Sequence, residues 1–116
     1  MPTAGAEAAV RRGDVVTVAL QGDLGKPRPA VVIQSDWFAA HPSVVVLPVT
    51  SDLRDAPLFR LRLLPSPANG LQVASDVMVD KPQTVSRARI GPAIGRLAPA
   101  QVLEVNRALA LFIGLA

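Results

Sequence analysis

Residues 25–36 read GKPRPAVVIQSD, a stretch in which an arginine stands between two prolines directly ahead of an apolar run. Each proline fixes its own φ and pushes the residue before it into extended geometry. Lys26 and Arg28 both precede a proline, so both are biased to extended backbone. The run Pro29–Gln34 that follows is apolar up to Ile33 and reads as a strand in the sheet interior. Two readings of Arg28 stand side by side. It is either a bystander on a rigid turn or a guanidinium fixed to meet a phosphate, whose planar fork acts through geometry as well as charge.

Working outward from this strand, the chain shows short β signals broken by turns. Asp14–Leu20 is β-branched and reads as a strand, and Gln21–Lys26 is a loop punctuated by two glycines. Residues 1–10, rich in alanine, are expected to be a flexible N-terminus, with residues 11–116 forming a single domain. Ser35–Ala40 reads as a short helical turn capped by Ser35 or Asp36. Val44–Val49 is a third strand, in which Pro48 argues for a bulge or an edge. Leu58–Leu64 alternates, with Arg60 and Arg62 on one face and Phe59, Leu61 and Leu63 on the other, as in a half-exposed antiparallel strand. Ser75–Val79 is a fifth strand, continuing unevenly past Pro82 towards Val85, and Ile90–Leu97 is a short strand broken by glycine.

The C-terminus changes character. Pro99 suits the first position of a helix. Val102, Val105, Leu109 and Phe112 then fall on one face, while Leu103, Leu111 and Ile113 broaden the apolar surface beyond one side. The fold class expected is mainly β (α+β): a small antiparallel barrel-like sheet with a C-terminal helix.

Composition narrows the chemistry. Half the residues are apolar and only 3% aromatic, so aliphatic side chains must build the core. With no cysteine, a disulfide framework, a thiolate nucleophile and a cysteine zinc site are excluded, and a reducing cytoplasm is the expected setting. The single histidine, His41, precedes Pro42 and reads as a turn residue; no metal site or cofactor is expected. The net charge of +3 favours anionic partners. No apolar run reaches the ~18 residues of a transmembrane helix. Phosphate-cradling glycine loops and nucleophile elbows are absent from the sequence. Asp52 and Asp55 fit a solvated loop. What remains is arginine plus hydroxyls. If strands two and three pair antiparallel, Thr50 and Ser51 return to the side of Arg28, at one mouth of the barrel.

Four segments then carry a resemblance: RRGDVVTVAL, RPAVVIQSD, VLPVTSD and SDVMVDKPQTVSRARIG. Together they are similar to the MazF/PemK family of toxin endoribonucleases, from about Arg12 through the C-terminal helix. The resemblance implies a type II toxin that cuts single-stranded RNA without a metal and forms a homodimer. It also implies an antitoxin with a disordered acidic segment. By motif position, Arg28 and Thr50 are the implied catalytic pair. Ser51 supports Thr50, and Lys26, Gln34, Lys81 and Gln83 are candidates for RNA contact. With so few aromatic residues, base stacking falls to Trp37, Phe38 or arginine planes. Many members carry a longer loop between the first two strands, with Gly-Ser-Glu-Gln, where this chain has Gln21–Lys26. That departure bears on cleavage specificity. The alternative is a gyrase-poison-type toxin on the same fold, which binds a topoisomerase and cleaves nothing; retention of both Arg28 and Thr50 argues against it.

Overall fold

The computed structural model describes residues 10–19 and 26–116; the expected flexible N-terminus apart from Val10, and the 21–26 loop apart from Lys26, lie outside the described residues. Val10 itself is buried against Val16, Val32 and Val44, so packing begins before the expected domain start.

The strands form where β-branched residues alternate between two buried faces. β1 (Asp14–Ala19), β2 (Pro27–Val32) and β3 (Ser43–Thr50) pair antiparallel in sequence. Their odd-numbered residues Val15, Val31, Leu47 and Val49 enter one core cluster. Their even-numbered neighbours Val16, Val18, Ala30, Val32, Val44 and Val46 enter a second. Both faces of these strands are covered, which is why β2 shows no polar alternation. The first cluster is closed by β4 (Arg60–Leu63), β5 (Ser75–Met78) and helix α1 (Pro99–Phe112), which contributes Val105 with Val102, Ala108 and Leu109 beside it.

β3 is the hub. One side of it pairs with β2; the other pairs with β6 (Gln83–Ser86) along Ser43–Val46 and with β5 at Val49 and Thr50. Leu47 and Pro48 fall between the two partners. Pro48 therefore marks a handover inside a central strand, neither a bulge nor the outer edge that the sequence suggested, and its missing N–H costs no ladder bond there. The expected uneven strand from Ser75 past Pro82 is two strands. The chain turns after Met78, with the Lys81 N–H donating to the Met78 carbonyl (3.2 Å), and β6 resumes beyond Pro82. β7 (Ile90–Arg96) pairs with β1 through two register irregularities, so the order is β4-β5-β3-β2-β1-β7, with β6 on β3.

The two ends of this curled sheet meet through a loop. The Arg96 N–H donates to the Ala68 carbonyl (2.8 Å). Gly70 has φ +71°, and a Cβ there would stand 2.0 Å from the Ile94 carbonyl oxygen. Only glycine admits both the backbone angle and the approach. Buried Asn69 ties the loop together: its Oδ1 accepts from the Ser66 and Leu71 amides (3.1 and 2.9 Å) and its Nδ2 donates to the Leu64 carbonyl (2.8 Å). Among the described residues, no helix is long and apolar enough to cross a membrane.

Asn69→Ala strands two amides and a carbonyl. It is expected to lower stability by about 2 kcal/mol, seen as a lower denaturant midpoint at an unchanged slope.

Candidate functional site

The β2–β3 ladder sets Ala30 opposite Pro48 and Val31 opposite Leu47. Continued by two residues, the same register places Arg28 opposite Thr50. Both residues, with Ser51, line one cavity of about 680 Å³. Thr17 from β1, Met78 from β5, Ile94 from β7 and the Gly70–Val73 turn complete its wall. The convergence inferred from strand pairing is thus present, and the arginine lies at a cavity rather than on a bare turn.

Thr50 has a defined orientation. The Asp52 N–H donates to its Oγ1 (3.0 Å), so one lone pair is engaged from behind. A hydroxyl held in this way still has its own O–H to donate. Asp52 is fixed in turn, since Arg60 donates to its carbonyl (2.8 Å). Arg60 leads to Asp76, the register partner of Thr50 across β5. Asp76 is 1% exposed and accepts from Arg62 Nε (2.5 Å), the Arg54 amide (2.9 Å) and Arg60 (3.2 Å). Burial alone would raise this carboxyl, but the bonds from Arg62, the Arg54 amide and Arg60 outweigh it and hold it below the usual carboxylate value. The loop after Thr50 is thereby clamped to the sheet by a buried ionised group.

This clamp was missed in the sequence. Arg60 and Arg62 were expected on the exposed face of a half-exposed strand. They do share a face, and Arg62 is exposed there as expected, but both reach Asp76 and the Arg60 side chain is only 10% exposed. The available signal was two alternating arginines in one strand with an aspartate in the next.

The other candidates are spread out. Lys26 is exposed just ahead of β2, two residues from Arg28. Lys81 sits in the β5–β6 turn beside Asp80 (3.8 Å), and Gln83 starts β6 opposite Val46; both are exposed. Gln34 lies at the far end of β2 from Arg28. Its side-chain amide is occupied by backbone: Nε2 donates to Ser43 and Phe38 carbonyls (2.9 and 3.2 Å) and Oε1 accepts from the Val45 amide (3.1 Å). Trp37 and Phe38 stand at that same far end, on the short 3-10 turn Asp36–Phe38 capped by Ser35. Among the described residues no three His, Cys, Asp or Glu side chains form a group that could hold a metal ion.

A curled antiparallel sheet with one C-terminal helix, carrying an arginine and two hydroxyls at one cavity, defines a small class of proteins. Residues 11–113 match the family model of the PemK-like, MazF-like toxins of type II toxin–antitoxin systems, and the chain belongs to that family. It is 46% identical over 108 residues to the probable endoribonuclease MazF of Mycolicibacterium smegmatis, covering 92% of this chain and 99% of that protein. To endoribonuclease MazF9 of Mycobacterium tuberculosis it is 28% identical, covering 91% of this chain and 98% of that protein. A solved mycobacterial endoribonuclease in complex with its cognate antitoxin superposes with a TM-score of 0.77 at 26% identity, over 93% of this chain and 98% of that one.

Asp76 binds its proton more weakly folded than unfolded, so its contribution to stability is present above the unfolded carboxylate value near 3.9 and is lost as pH falls through the lower folded value. Asp76→Asn is expected to cost about 3 kcal/mol at neutral pH, because it leaves Arg60 without its buried partner. The variant should also lose that segment of the acid dependence in pH-resolved urea titrations.

Proposed function

We propose that this toxin is an endoribonuclease that cuts single-stranded RNA by internal attack, leaving a 2′,3′-cyclic phosphate and a 5′-hydroxyl. The observation that carries the reading is the shared cavity of Arg28, Thr50 and Ser51. In the reaction the ribose 2′-oxygen forms a bond to the adjacent phosphorus, its proton passes to solvent, and the bond from phosphorus to the 5′-oxygen breaks. The departing oxygen takes up a proton. Arg28 supplies fixed positive charge and donors to the phosphorane oxygens, which carry more charge in the transition state than in the substrate. It also assists proton delivery to the departing 5′-oxygen. It does not serve as general base, since a guanidinium offers donors and no acceptor. Thr50 donates its O–H to a phosphate oxygen while the Asp52 amide holds its lone pair. Ser51 supports it, and Lys26, Lys81 and Gln83 offer contacts outside the cavity. The names of the relatives as endoribonucleases agree with this assignment.

Two partners belong to the same proposal. α1 and the residue after it leave Leu103, Leu111, Phe112 and Ile113 exposed, an apolar surface that a second copy of this chain would cover in a homodimer. The second partner is an acidic antitoxin segment that competes with RNA for this toxin in the cytoplasm; a solved mycobacterial endoribonuclease in complex with its cognate antitoxin supports an antitoxin as partner. Sedimentation at micromolar concentration is expected to give a dimer, and Phe112→Asp to shift it towards monomer.

Cleavage is expected to persist in EDTA and to stop when the scissile ribose is replaced by deoxyribose. Arg28→Ala should lose activity by roughly a hundredfold or more with the fold intact, and Arg28→Lys should recover little, because a point charge lacks the guanidinium fork. Thr50→Ala should be severe but milder. Sequencing the ends of a long single-stranded RNA after incubation measures all of these; wild-type cutting by Arg28→Ala would move the active site elsewhere.

A further inference from the structure

Trp37 is the only tryptophan and is 93% exposed, with Phe38 beside it 57% exposed. An indole left in water forgoes the burial its large apolar area would gain. Yet the turn that carries it is tightly fastened. The Trp37 amide donates to Ser35 Oγ (3.2 Å), Gln34 Nε2 and an Arg87 nitrogen both donate to the Phe38 carbonyl (3.2 and 3.3 Å), and Arg87 Nε donates to the His41 carbonyl (2.7 Å). The Arg12 amide donates to Asp36 Oδ1 (2.8 Å), which occupies the turn's own carboxylate. The ring is thus held out on a rigid mount rather than left on a loose loop. Basic side chains of Arg12 and Arg87 stand at its foot.

Exposed polar side chains run along β3 from near its middle to this mount. β3 runs from Thr50 at the cavity back to Ser43, seven residues or about 23 Å. Alongside it lie exposed Lys81 in the turn and Gln83, Thr84 and Ser86 of β6, and the chain then enters Arg87. Among the described residues β6 pairs with β3 alone. Resting on the ribonuclease reading above, we infer that Trp37 is a stacking platform for a base of the same single-stranded RNA, several nucleotides from the cut, with the β6 strip carrying the intervening strand. An aromatic face set beside arginines, at the end of a polar track, is the chemistry that single strands recognise. A second copy of this chain fits the place less well, because the track is polar while the apolar surface lies on α1.

The sole tryptophan reports its own occupancy. Single-stranded oligonucleotides with deoxyribose throughout, about 4 and about 12 nucleotides long, are titrated in EDTA while tryptophan emission and oligonucleotide anisotropy are followed. The longer strand is expected to bind more tightly and to quench Trp37, with the quench relieved as salt rises; the shorter strand leaves the emission unchanged. In W37A the affinity advantage of the longer strand should shrink about 5- to 150-fold, and W37F should restore part of it. Saturating binding of the longer strand with emission unmoved overturns the inference, as does an undiminished advantage in W37A. An emission shift driven by protein concentration alone also overturns it and assigns the surface to a second copy. Quenching by a protein that cuts no RNA would defeat the proposed reaction while leaving this platform in place; RNA cutting with unmoved emission would defeat the platform alone.

Discussion

β3 must satisfy three strands with two edges. Its first half pairs with β6, its last two residues pair with β5, and its opposite side pairs with β2 throughout the paired segment. Register along one ladder therefore fixes the others, since a slip by one residue would exchange the two buried faces of Val44–Val49. Pro48 sits at the one place where the strand can lack a donor, between its two partners. The same constraint brings Thr50 to Arg28 on one side and to Asp76 on the other. Cavity and clamp follow from the position of a single strand end.

Asp76 shows how a buried charge is tolerated beside that strand end. A carboxylate removed from water is costly unless its oxygens are bonded and its charge is paired. Here two guanidinium groups and one backbone amide meet that need. The amide belongs to Arg54 and one of the guanidinium groups also holds the Asp52 carbonyl, so neutralising the charge and fixing the loop are the same set of bonds. A purely apolar residue at position 76 could fill the space but could not hold the loop that orients the Thr50 hydroxyl.

The two ends of the sheet differ in how their side chains are engaged. At the cavity end, polar groups face an open space walled by Leu71, Ile94 and Met78. At the other end, polar groups such as Gln34 and Arg87 are spent on backbone carbonyls. Their work there is to hold a turn in shape, and the aromatic side chains on that turn are left outward.

The sequence alone determined the strands around Arg28, the capped turn at Ser35, the helix begun by Pro99, and the meeting of Arg28 with Thr50. Those features rest on local rules: proline geometry, β-branched runs, and the antiparallel return of adjacent strands. Gln34 stood among the candidates for RNA contact, and one dimension does not show what its amide meets. The fold gave it three backbone partners from the Phe38–Val45 return. Arg60 and Arg62 looked like a solvent face, which holds for Arg62 and not for Arg60, because alternation shows that two residues share a side, not what covers it. Only the tertiary structure decided that β5 brings Asp76 beneath them and that Ser75–Ser86 splits into two strands on β3. Those outcomes depend on which distant segments compete for one strand edge, and that competition is settled by packing of the whole sheet rather than by any local pattern.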